Sequence, residues 1–154
     1  MSANKHLEIR RRRMLASLAP MLSFAGTFAH PVATTILPFV LFLFLRNRGD
    51  AMPRDSALRT ADFAFSMNLW LLILQFAVAA LRHIPATARV VPEQANAAVA
   101  ALVLVVFFAF LIVGFVQASR GREFRYPLSF RLAERIFAAL EKRATGGGEA
   151  GEKR

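Results

Sequence analysis

Asn68 and Gln75 stand seven residues apart in an otherwise apolar run, and Gln117 closes a second such run. Spacing of seven puts the first two on one face of a helix, where amides either bond a neighbouring helix or line a path for a solute. The only ionisable group inside the apolar stretches is His30, next to Pro31. Proton relays and ligand sites need several converging groups, so a histidine at an interfacial turn is the simpler expectation. His6, His30 and His83 fall on separate segments, and no metal-ligand spacing, glycine-rich phosphate loop, nucleophile elbow or paired-carboxylate constellation is present. The chain has no cysteine, which removes thiolate nucleophiles, disulfides, cysteine-ligated zinc and iron–sulfur clusters. The residues therefore predict a protein that is not an enzyme and that uses no cofactor or metal.

These side chains sit in a sequence built for lipid. Of 154 residues 56% are hydrophobic, too many for an ordinary soluble domain of this size. Three stretches lack Asp, Glu, Lys and Arg: Met14 to Leu45, Phe63 to Leu81 and Ala95 to Ala118. A helix rises about 1.5 Å per residue against a hydrocarbon layer of about 30 Å, so the second and third stretches each fit one crossing. The first would make a helix of roughly 48 Å, too long for one crossing and short for two. Pro20, Gly26, Pro31 and Pro38 interrupt it, and a residue before proline is pushed out of the helical region. Two short helices, 14–29 and 32–45, with a turn at Ala29-His30-Pro31 are expected.

Charge supports that count. The net charge of +10 would suggest nucleic acid in a soluble protein, but these cations flank apolar spans, where they orient helices and meet anionic headgroups. Arg10 to Arg13 place the N-terminus in the cytoplasm. The segment from Arg46 to Asp62 carries Arg46, Arg48, Arg54 and Arg59, whereas that from Arg82 to Gln94 has only Arg82 and Arg89. The segment after the last span opens with Arg120, Arg122 and Arg125. An even number of passes before Arg46 puts all three basic segments inside; full crossings and a shallow re-entrant hairpin satisfy it equally. A cleaved signal is the competing reading of the first stretch, with Arg12-Arg13 imitating a twin-arginine motif, but Pro20 sits in its middle.

The expected fold is thus all-α: a polytopic bundle of four transmembrane helices, the first two a short proline-broken hairpin, plus a C-terminal amphipathic cytoplasmic helix. Its divisions are a basic cytoplasmic N-terminus (1–13), the membrane domain (14–127), an interfacial helix (128–143) and a disordered tail (144–154). Ser56 is the expected N-cap of the third helix. Leu132, Ile136, Phe137 and Leu140 recur at helical spacing within the interfacial helix. Gly114 with Ala118, and Ala97 with Ala101, form small-xxx-small pairs that let helices approach, within one chain or between two. Asp62 suits the positive end of the third helix's dipole, and Tyr126 a cytoplasmic-interface aromatic.

The run Arg59-Thr60-Ala61-Asp62-Phe63-Ala64-Phe65-Ser66, and the run from Val116 through Ala118, Gly121, Arg125, Tyr126 and Pro127 to Leu128, resemble a bacterial family of unknown function. Its small membrane proteins are grouped with the chloroplast inner-envelope translocon component of about twenty kilodaltons. The family's late motif places lysine-alanine, two residues on a glycine, then arginine-tyrosine-proline. Here Gln117 replaces the lysine, and in the earlier motif Asp62 stands for asparagine and Ala64 for glutamine. The resemblance covers about residues 14–131 and implies a four-helix membrane domain.

Together these readings predict a non-enzymatic protein of the bacterial inner (cytoplasmic) membrane, multi-pass with both termini cytoplasmic. It would act as an accessory or assembly subunit through helix packing, with membrane lipids and a homo-oligomer or larger membrane complex as partners and no nucleic acid. The alternative is a small channel or transporter for a solute or a polypeptide, lined by Asn68, Gln75, Gln117 and the broken hairpin.

Overall fold

The computed structural model describes residues 2–47, 50–84 and 94–146. Among them the chain forms five helices and no strand: α1 (Ser2–Ala29), α2 (Ala33–Arg46), α3 (Ala51–His83), α4 (Ala95–Ser119) and α5 (Leu132–Gly146). The loop around Arg89 and the tail from residue 147 lie outside the described residues.

The hairpin turn falls where the prolines predict it, with α1 ending at Ala29 and the imidazole Nδ1 of His30 accepting the Val32 N–H at 3.1 Å. Other boundaries differ for local reasons. α1 runs back through the basic segment to Ser2, because nothing there breaks a helix and Glu8 pairs with Arg12 one turn on, at 2.7 Å. α3 begins at Ala51, before Ser56, because Pro53 falls in the first turn, where its missing N–H costs nothing. α5 begins at Leu132, four residues late, because Leu128 (φ 66°) and Arg131 (φ 51°) take left-handed conformations.

The two prolines inside helices are accommodated in one way. Pro20 cannot donate to the carbonyl of Ala16, and Pro38 cannot donate to that of Thr34. Each orphaned carbonyl accepts a serine hydroxyl from another helix: Ser56 of α3 donates to Ala16 O at 2.9 Å, and Ser23 of α1 donates to Thr34 O at 2.8 Å. Ser23 and Thr34 are buried. Ser23→Ala is therefore expected to cost about 1–2 kcal/mol, the range for a stranded buried polar group. Adding Pro38→Ala should restore most of it, since an alanine at that position supplies the missing N–H. Denaturant unfolding in micelles followed through the single tryptophan, Trp70, measures this cycle; additive losses would contradict it.

The first four helices run up, down, up and down. α1 packs on α2, α3 and α4, and α3 packs on α2, α4 and α5. All the basic segments that the structure describes gather at one end: the N-terminal turns of α1, the end of α2, the start of α3, the end of α4 and α5. The hairpin stops short of the other end. Asn68 of α3 donates its Nδ2 to Pro31 O (3.0 Å) and to the hydroxyls of Thr34 and Thr35 (3.1 and 3.3 Å), so the turn stands level with residue 68. From there α3 runs on to His83, roughly 22 Å further at helical rise.

Of four expected crossings, two helices among the described residues, α3 and α4, are by themselves long and apolar enough to cross a membrane; α2 is apolar but shorter. Only 17% and 22% of the most apolar windows of α3 and α4 are buried, the reverse of a core helix in a soluble protein. Phe28, Leu72, Phe76, Leu102, Val105 and Ile112 all point outward. So large an apolar surface is suited to hydrocarbon rather than water.

Candidate functional site

At the basic end the two sequence runs that carry the family resemblance fold against each other. α4 closes with a Schellman turn, in which Gly121 (φ 76°) donates its N–H to Ala118 O at 3.0 Å and Arg122 donates to Gln117 O at 2.9 Å. The chain then turns back along α4 and α3 as the irregular segment 122–131. Tyr126 is driven into the bundle, where its ring stacks on Phe63 (centroids 4.4 Å apart, planes 12° apart), which stacks in turn on Phe107 at 5.6 Å. The tyrosine hydroxyl reaches Thr60 Oγ1 at 3.4 Å.

Gly114 makes room for that ring. A Cβ there would collide with the tyrosine oxygen and the ring carbon that bears it, so this glycine serves contact with the returning chain as well as the helix approach inferred from its spacing. Ala118 is buried, whereas Ala97 and Ala101 are exposed at the far end of α4. Arg125 and Pro127 are exposed on either side of Tyr126.

The returning segment positions α5. Ser66 Oγ donates to Asp62 O at 2.6 Å and accepts the Phe130 N–H at 2.9 Å, while Phe130 stacks on Trp70 at 5.6 Å. Asp62, almost fully buried, accepts the backbone N–H of Glu134 on Oδ2 at 3.0 Å. The carboxylate thus meets a helix dipole, as its sequence position suggests, but the helix is α5; α3 began eleven residues earlier. Arg59 bridges Glu134 and Glu123, both at 3.0 Å, and is only 15% exposed. Further along, Phe137 seats against Phe42 at 4.9 Å beneath the guanidinium of Arg46, 5.6 Å from its ring centroid. Of the apolar positions along α5, Phe137 faces the bundle, while Leu132, Ile136 and Leu140 are exposed.

Burial pushes the Tyr126 hydroxyl up to about 12, against the pull of its hydrogen bond with Thr60. A raised pKa favours the neutral form in the fold, so this contribution to stability is complete below about pH 10, the unfolded value, and is lost as pH rises through 12. Tyr126 is the sole tyrosine, so tyrosinate absorbance reports it alone. Ionisation at the ordinary value in the folded protein would contradict its burial.

The channel alternative requires Asn68, Gln75 and Gln117 to line one path, and the structure separates them. Asn68 binds the hairpin turn, Gln75 is exposed on the outer surface, and Gln117 Oε1 is shut in without a hydrogen-bond partner among the described residues. Arg59 and Glu134 were not singled out, because charges scattered over 75 residues carry no local signal. Ser56 was expected as a cap; a serine facing a proline-freed carbonyl, as Ser56 and Ser23 do, is identifiable only once the helices are packed.

Residues 11–133 match the model of the MamF_MmsF family, described as the magnetosome magnetite crystal formation protein family. The matched region takes in α1 from Arg11 onward, α2 to α4 and the returning segment, and ends two residues into α5. The match agrees with the expected bacterial family of small membrane proteins and brings no link to a chloroplast translocon. No similar curated protein and no similar solved structure was found.

Proposed function

This chain belongs to the magnetosome magnetite crystal formation protein family, and on that premise we propose that it is a non-enzymatic membrane protein serving magnetite crystal formation as an accessory subunit. The observation that carries this reading is the extent of the match, which covers the bundle from Arg11 onward and the returning segment, with Arg59, Asp62 and Tyr126 inside it. The clamp supports it. Asp62, Ser66, Thr60, Tyr126 and Arg59 are engaged with backbone, hydroxyl or carboxylate partners that hold α5 in place, which is the work of a scaffold presenting a surface. A channel receives no such support, since Asn68, Gln75 and Gln117 line no common path.

In this reading the protein sits in the bacterial inner membrane or membranes continuous with it, with both termini cytoplasmic. α3 and α4 cross, and the α1–α2 hairpin enters from the basic face and turns back. The chain has no native cysteine, so single cysteines introduced at Ser2, at His83 and in the tail report sidedness directly. Labelling by an impermeant reagent from outside is expected at position 83 alone.

Deleting the gene in a magnetite-forming bacterium tests the function. Crystals should still nucleate but differ in size or shape, with recovery on re-expression. An unchanged crystal population would overturn the assignment. Mild solubilisation of the tagged chain should bring down a partner in fixed proportion; an isolated monomer would sink the accessory role.

A further inference from the structure

The seam between α1 and α4 carries two adjoining hollows away from the clamp. At the basic end lies an open groove of about 460 Å³, lined by His6, Arg10 and Arg13 of α1 and by Ser119 at the end of α4. One helical turn along, from Ser17 to Met21 on α1 and from Ser119 to Phe115 on α4, begins a second groove of about 340 Å³. Its walls are Met21, Phe24, Leu111, Ile112 and Phe115, and it is almost wholly apolar.

The cations at the basic end are not all alike. Arg12 is engaged by Glu8 at 2.7 Å and Asp50 at 3.0 Å, and Arg59 by two glutamates. Arg10 and Arg13 form no ion pair among the described residues. The Arg13 side chain lies across the Gly121 turn, with Nε 2.8 Å from where a Cβ on that glycine would be. Gly121 therefore leaves the space that brings this cation to the mouth of the seam. From Arg13 to Phe24 the helix rises about 16 Å, about half the thickness of a hydrocarbon layer and so the reach of one acyl chain.

We infer that this seam binds one anionic glycerophospholipid, its phosphate at Arg10 and Arg13 and one acyl chain along Met21 and Phe24 against Ile112 and Phe115. Charge selects the occupant at one end and apolar walls do so along the rest. A sideways-opening slot on a chain with so much outward apolar surface is filled from the bilayer. The inference does not depend on the role in crystal formation.

The full chain, purified in detergent and delipidated, is titrated with phosphatidylglycerol, phosphatidylcholine and inorganic phosphate, and bound molecules are counted by native mass spectrometry. One phosphatidylglycerol is expected, with binding about 30-fold weaker in Arg10→Gln/Arg13→Gln, at roughly one cation's attraction per arginine removed. Arg11→Gln/Arg135→Gln, which removes the same charge elsewhere, should bind as the parent does. Ala25→Trp, on the exposed rim of the slot, should also weaken binding while leaving the helix content intact. Equal losses in both double variants, or equal affinity for phosphatidylcholine, would overturn the inference. So would displacement of the lipid by millimolar inorganic phosphate, which would make the mouth a free-anion site with no use for the slot.

Discussion

Gly26→Ala is expected to destabilise the protein by about 3 kcal/mol, the upper part of the range for forcing a methyl group into a packed interior. A Cβ at this position would stand 2.8 Å from the carbonyl carbon and oxygen of Ala33 and from the amide nitrogen of Thr34. All three atoms are backbone, so no side-chain rotation relieves the contact and the two arms of the hairpin must move apart. That movement opens the Ser23-to-Thr34 hydrogen bond beside it, leaving the carbonyl freed by Pro38 without a donor. Denaturant midpoints in micelles measure the effect, with Ala25→Gly, at an exposed neighbouring position, as the control for ordinary helix propensity. A Gly26→Ala protein as stable as the parent would mean that the hairpin arms do not approach this closely.

Asp62→Ala should release α5 without unfolding the bundle. The change removes the acceptor of the Glu134 N–H and strands that group, a loss of about 2 kcal/mol for a charged hydrogen-bond partner. At about 1.4 kcal/mol per tenfold, the undocked population of α5 rises by about 30-fold. Hydrogen exchange reads this out residue by residue: amides from Glu134 to Ala138 should lose protection, while those around Phe107 and Leu111 keep theirs. Asp62→Asn retains an acceptor oxygen and should recover much of the protection. If α5 exchanged equally in all three proteins, the docking would rest on Phe137 and Arg59 rather than on Asp62.

Both predictions concern places where the sequence was only partly readable. Gly26 was legible as an interruption of an apolar run, but a glycine allows a loop, a kink or a close approach alike. The approach emerges only when α2 is laid beside α1. Asp62 was legible as a carboxylate suited to a helix N-terminus. Which helix it serves depended on where α3 starts, and the start moved to Ala51 because Pro53 is tolerated in a first turn. Gly114 and Ala118 were legible as small residues at helical spacing, yet the large group that fills the space over Gly114 comes from Tyr126 in the irregular segment.

What the sequence by itself determined was everything that acts within about one helical turn or through the bulk solvent. Apolar runs located the lipid-facing parts of α1 to α4 though not where α1 and α3 begin, Pro31 set the hairpin turn, Gly121 set the end of α4, and the heavy apolar bias suits lipid as the surrounding medium. Tertiary structure alone decided which hydroxyl serves Ala16 and Thr34, which helix Asp62 caps, and how the returning segment brings Tyr126 under Gly114. Those hydrogen bonds join residues from 11 to 72 positions apart. A hydrogen-bonding group far along the chain has many partners of the right type, and only the packing of one helix surface on another selects among them.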